Sequence, residues 1–236
     1  MFVSFNSYPY TTKEDEIYLK AFLKDWKISD TVDSVHSDFE KEIEFISKIQ
    51  DSVISQIRHI LISYDTSGTI QYYYEKRKGF CYDRALLMEK ILDLYKFRFR
   101  HAFVYYHRDS TAVSGMDFFS KGIASHALLE VKTKKGWMAL GSNSNWLGIH
   151  EDGSVMDLPA LREKLKQQQW KFKKKPTLGY PFYEETGGYY KFKYVYGVYS
   201  RHGRFLKSRP FEKILNFIGI PSFIPDYNIR MLLYNF

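Results

Sequence analysis

Cysteine is almost missing from this chain. A single Cys among 236 residues excludes an intrachain disulfide and any metal site built from several thiolates. No apolar run approaches the ~18 residues of a membrane-spanning helix. The first 26 residues, acidic from Glu14 onward, hold no continuous apolar segment of the kind a secretory signal needs. No internal repeat is evident, and nothing suggests a cofactor or a metal. The expectation is a cytoplasmic chain with no transmembrane segment.

Hydrophobic residues make up 44% and aromatics 18%, enough for a large core and too much for a disordered chain. The length suits one domain with embellishments or two small ones. The formal charge of +8 is uneven: positions 162–209 hold 13 Lys or Arg against three Glu. That local excess of +10 leaves the remainder at −2. Charge runs are usually solvated faces. Trp170 and Phe172 among the lysines also suit an anionic partner, either nucleic acid, through phosphate contacts and base stacking, or an acidic surface.

Periodicity predicts a helix from Thr12 to Trp26, with Ile17, Ala21, Leu23 and Trp26 inward. A stronger one starts at Ser37, where Ser37-x-x-Glu40 has the capping-box spacing, and ends near Ser63. A third runs from Cys81 to Tyr95; its apolar residues occupy more than one side, the mark of a central, buried helix. Strands follow at Phe97–Tyr106, Ser125–Thr133, Trp137–Leu140 and Tyr189–Ser200. Lys134-Lys135-Gly136 forms a hairpin turn between the second and third. Helices first and strands after is an α+β order. The chain then divides into an N-terminal helical extension (1–36), a core (37–158) and a basic, aromatic-rich C-terminal extension packed on it (159–236).

Cys81 opens the third helix in Gly79-Phe80-Cys81-Tyr82-Asp83-Arg84-Ala85. At a helix N-terminus the dipole favours a thiolate, and free backbone N–H groups can receive an oxyanion. His126 heads the apolar run His126-Ala127-Leu128-Leu129-Glu130-Val131. A lone thiol with a distant histidine is a nucleophile-and-base pattern.

These segments, with Gly136-Trp137 after them, resemble the transglutaminase-like superfamily of papain-type thiol enzymes. The shared features are Gly-x-Cys-x-x-x-Ala, His-x-x-x-Glu-Val and a Gly-Trp hairpin, in that order over roughly residues 40–150. The resemblance implies an α+β, papain-like core, with the helix carrying Cys81 at its N-terminus packed on an antiparallel sheet carrying His126. It implies Cys81 as nucleophile and His126 as base for a peptide or protein amide substrate. Its orienting Asp falls where this chain has Gly141, which can neither fix an imidazole tautomer nor stabilise an imidazolium. Asn143 is the nearest replacement, on the same face if the strand continues but about 6.6 Å further along. Ser142 is expected to point the other way.

The remaining histidines carry no assignment. His101 and His107 flank an aromatic strand as structural or solvent-facing groups, while His36, His59, His150 and His202 have no matching partner. Asp83 and Arg84 read as a surface pair. Three functions compete: a thiol amide hydrolase, a catalytically silent binding module that kept the cleft, and an anion binder working through 162–209, compatible with either.

Overall fold

The structure is a computed structural model that describes residues 11–60, 69–106, 124–166, 192–196, 200–201 and 204–205. In chain order the elements are α1 (Lys13–Asp25), α2 (Val32–Val35), α3 (Phe39–Gln56), β1 (Arg58–His59), α4 (Ile70–Lys76), β2 (Lys78–Gly79) and α5 (Cys81–Leu94). They continue with β3 (Arg98–Tyr106), β4 (Ala124–Thr133), β5 (Gly136–Leu140), α6 (Leu158–Lys166), β6 (Lys193–Tyr196), β7 (Ser200–Arg201) and β8 (Arg204–Phe205). The mixture of helix and sheet agrees with the α+β class.

Local chemistry sets the helix ends. Thr12 and Asp15 cap α1 reciprocally, each side chain taking the other's backbone N–H at 3.0 Å. Leu19, Phe22 and Leu23 form its buried face, while Ile17 is 66% exposed, so the inward stripe lies about half a turn from where Ile17 would put it. Asp38, not Ser37, caps α3 by accepting the Lys41 N–H at 2.8 Å. The helix stops at Gln56 because the next residues enter a different pairing. Arg58 and His59 lie parallel to Lys78 and Gly79, a long-range contact that helical periodicity does not report.

All of α5 from Cys81 to Leu92 is buried, in line with its apolar composition on several sides. Asp83 accepts the Phe80 N–H at 2.8 Å and the Tyr73 hydroxyl at 2.5 Å, fastening α4 to the start of the helix. Gly79 is needed here: a Cβ at that position would stand 2.8 Å from the Asp83 Cβ.

The main sheet has the antiparallel order β5-β4-β3-β6. Lys134 and Lys135 close the β4–β5 hairpin between paired Thr133 and Gly136. Gly136 adopts φ +135°, a conformation open to glycine alone at little cost. One sheet face packs on α5; Phe103, Ala127, Leu129, Val131, Met138 and Leu140 join Cys81, Leu87 and Ile91 in a core that extends through α3, α4 and α1. The other face is covered by Trp146, Met156, Leu158, Leu161 and Phe192. Among the described residues no helix is long and apolar enough to cross a membrane.

Candidate functional site

Cys81 is the first residue of α5 and only 5% exposed. The N–H groups of a first helical turn have no intrahelical acceptor, so the thiol sits beside donors that the helix itself does not use. It lies in the same cluster as Ala127 and Leu129 of β4. Arg84, one turn further along α5, is 5% exposed and Asp83 1%; they are not a surface pair. The Arg84 guanidinium instead caps the end of α3. Its Nε donates to the Ile57 carbonyl at 3.0 Å, one terminal nitrogen bonds both that carbonyl and Ile54 O, and the other donates to Asn143 Oδ1 at 3.3 Å. A cation at a helix C-terminus is favourable on dipole grounds as well.

His126 lies opposite Val104 in the β3–β4 register. Ala127, Leu129 and Val131 face α5, whereas Val104 and Leu128 belong to the second core. Alternation therefore starts the His126 side chain on the face away from α5. At this level β5 has ended, since its last partner pair is Leu129 with Leu140. The edge of β4 is taken over by the segment 141–146. Ser142 Oγ lies 2.6 Å from the Ala127 carbonyl and 3.3 Å from His126 Nε2. Ser142 thus points toward the imidazole, contrary to the alternation expectation, because the strand stops at Leu140 and the period-two rule stops with it.

The direction of these bonds fixes a tautomer. A carbonyl only accepts, so the Ser142 hydroxyl proton goes to Ala127 O, and Oγ offers His126 a lone pair. Nε2 then carries the ring proton and the basic lone pair falls on Nδ1. Near position 141, where the resemblance expects an orienting acid, a neutral hydroxyl accepts from the ring.

Asn143 serves a different imidazole. Its Oδ1 accepts from Arg84, and its amide nitrogen lies 3.2 Å from His59 Nε2. The His59 ring is exposed and stacks on Phe80, the residue before Cys81, with centroids 4.6 Å apart and planes 11° from parallel. His59 therefore has a partner after all. Gly141 contributes its backbone: its carbonyl accepts from Gln50 Nε2 at 2.9 Å, and the same amide reaches the Trp146 and Ser144 carbonyls at 2.8 and 3.3 Å. Gln50, 0% exposed, holds the whole segment against α3. Its position among apolar helix residues gave no signal of that role, and a two-residue strand at His59 was equally silent.

Other ionisable groups have structural partners. His101 is bonded to Glu89 at 2.6 Å between α5 and β3, both 0% exposed. His36 pairs with Glu42 at 3.0 Å, and Glu42 also receives the Lys134 N–H of the hairpin at 2.8 Å. His150 lies 3.2 Å from Asp152. His107 and His202 lie outside the described residues. Glu130 accepts from Leu158 N at 2.6 Å, Tyr196 Oη at 2.9 Å and Arg100 Nε at 2.5 Å. Burial nevertheless holds its carboxyl above the usual carboxylate range. Burial, then the adjacent Glu130 carboxylate, raises the Tyr196 phenol.

Of the basic stretch 162–209, Arg162 is seen with its guanidinium 5.5 Å from the Tyr194 ring centre. Tyr194 and Tyr196 pack against the second core, while most of the stretch lies outside the described residues. Among the described residues no group of three His, Cys, Asp or Glu is arranged to hold a metal. No protein-family model matches the chain, and comparison with curated proteins and with solved structures gives no match either.

Proposed function

We propose that the chain is a thiol-dependent amide hydrolase of the transglutaminase-like kind, with Cys81 as nucleophile and His126 as base. The observation that carries this reading is the Ser142 contact, which leaves the His126 lone pair on Nδ1. The neighbouring Asn143 is bonded to the first turn of the Cys81 helix. On this reading the imidazole has to reach the thiol around the β4 edge, because alternation starts it on the sheet face away from α5. A papain-like core is consistent with a helix that starts at the thiol and packs on β3 and β4.

In this scheme His126 Nδ1 takes the thiol proton and Sγ adds to the amide carbonyl carbon. The carbonyl electron pair moves to oxygen, where the Cys81 N–H receives the charge. Collapse restores the carbonyl, breaks the C–N bond and releases the amine with the proton held by His126. Water then attacks the thioester while His126 accepts its proton, and the carboxylic acid leaves as the thiol is re-formed. Hydrolysis is the default fate of an acyl-enzyme that water can reach.

The experiment is cleavage of a mixed peptide library by the full chain, read by mass spectrometry beside Cys81→Ala. Cleavage that disappears in the variant supports the reading. Cleavage by both, or by neither, contradicts it.

A second reading rests on the same Ser142: a hydroxyl stabilises an imidazolium less than a carboxylate does. The chain is then a binding module that retains the site without turnover, with the basic C-terminal region as a surface for nucleic acid or an acidic partner. Cys81 alkylation no faster than that of a free model thiol favours this alternative.

A further inference from the structure

We infer that the hairpin end of the main sheet is a binding surface for single-stranded nucleic acid, built on a row of Arg98, Lys132 and Trp137 and separate from the basic stretch 162–209. Such a surface is independent of the chemistry at Cys81. In the β3–β4 register Arg98 stands directly opposite Lys132, and in the β4–β5 register Lys132 stands opposite Trp137. The three side chains share one face across three strands, and the Lys132 ammonium lies 5.8 Å from the Trp137 ring centre. Like charges directly opposite in an antiparallel pair oppose folding. Both cations are exposed, and among the described residues neither forms an ion pair with a carboxylate.

The next row is built differently. Arg100 stands opposite Glu130, bonds its carboxylate at 2.5 Å and lies 3.5 Å from Asp157, with its guanidinium 4.3 Å from the Trp137 and Tyr196 ring centres. From Ala102 and Leu128 onward the second core covers the face. One arginine is thus fixed by two carboxylates, and the pair beside it is left uncompensated at the border. Guarding an open sheet edge does not account for Lys132, because β3 and β5 flank it on both sides. Lys96 before β3, and Lys134 and Lys135 in the turn, are exposed as well. Cations set along a row neutralise phosphates, and an indole beside them offers a base a stacking partner. A lipid surface takes exposed apolar side chains in addition to charge. The exposed large hydrophobics among the described residues are Ile17, Val32 and Ile60, none of them on these strands.

The test is fluorescence anisotropy of labelled oligo(dT) with the full chain over a range of salt concentrations. The double variant Arg98→Thr with Lys132→Thr keeps strand-forming residues and removes a repulsion, so its thermal midpoint should not fall. Its salt slope should shrink by about 1.4, from two phosphate contacts at about 0.7 each, with affinity about tenfold lower near 0.1 M salt. Trp137→Leu should lose about tenfold with the slope unchanged. The same losses should appear when Lys173, Lys174 and Lys175 are all replaced by Gln, which separates this surface from the C-terminal stretch. Unchanged affinity and slope in the folded double variant overturns the inference, as does loss of all binding on replacing the three C-terminal lysines alone. Equal affinity for poly-glutamate, or binding to phosphatidylserine vesicles without binding to oligo(dT), overturns it too, by making the partner an acidic protein or a lipid surface.

Discussion

Ser142 Oγ stands 3.3 Å from His126 Nε2 and 2.6 Å from the Ala127 carbonyl, so one hydroxyl ties the imidazole to the backbone of its own strand. Replacing it by alanine removes the acceptor that holds the Nε2–H tautomer. Ser142→Ala is expected to slow Cys81 alkylation at neutral pH by roughly tenfold to 10²-fold, less than the ~10⁴ that follows loss of a triad acid. Alkylation kinetics with the thermal midpoint measured in parallel check this; an unchanged rate in a folded variant contradicts it.

Gln50 gathers three carbonyls of the segment 141–146 onto one amide. Gln50→Leu leaves those acceptors without that donor in a buried place, a cost of about 1–3 kcal/mol. Urea denaturation should show that loss, and Cys81 reactivity should fall with it, because Ser142 and Asn143 lie in the released segment. Lost stability with full reactivity would show that the segment holds its shape without Gln50.

Gly79→Ala sets a methyl 2.8 Å from the Asp83 Cβ. Asp83 cannot easily give way, being 1% exposed and bonded to Phe80 N and Tyr73 Oη. Overpacking of this kind costs about 1–3 kcal/mol, and here it acts on the residue whose carboxylate accepts the Phe80 N–H just before the Cys81 helix. Denaturant midpoints test the size; a change within ±0.5 kcal/mol would mean that Asp83 shifts freely.

Glu130 has a defined pH signature. Its folded carboxyl sits above the ordinary value, with burial as the main cause. Between the unfolded value of about 4.5 and the raised folded one, the native state binds the extra proton. This group's contribution to stability is therefore full below the unfolded value and declines as pH rises through the folded one. In Glu130→Gln that component of the slope disappears, while Arg100, held 4.3 Å from both the Trp137 and Tyr196 ring centres, loses its charged partner. Stability measured from pH 4 to 8 in both proteins checks the sign; parallel curves contradict it.

Much of the framework was legible in the sequence. The α5 composition, apolar on several sides, announced a central helix, and the Lys134-Lys135-Gly136 turn announced the hairpin, because both are local signals. Two histidine environments were not legible. His59 meets Asn143 in a region set by the parallel pairing of β1 with β2 across α4, and periodicity is blind to such contacts. Ser142 was misassigned by extending β5 past Leu140, where the chain leaves the sheet. Ile17 was placed inward with Ala21 by helical spacing, whereas Leu19 and Phe22 form the buried face and Ile17 is exposed. The strand expected at Tyr189–Ser200 is seen at Lys193–Tyr196; Tyr190 lies outside the described residues.

The most direct measurement is the pH dependence of Cys81 alkylation by iodoacetamide in the unaltered chain and in His126→Ala. The account predicts a rate well above that of glutathione at pH 7. In His126→Ala the neutral-pH rate should drop at least about tenfold. Identical profiles for the two proteins would show that His126 does not act on Cys81.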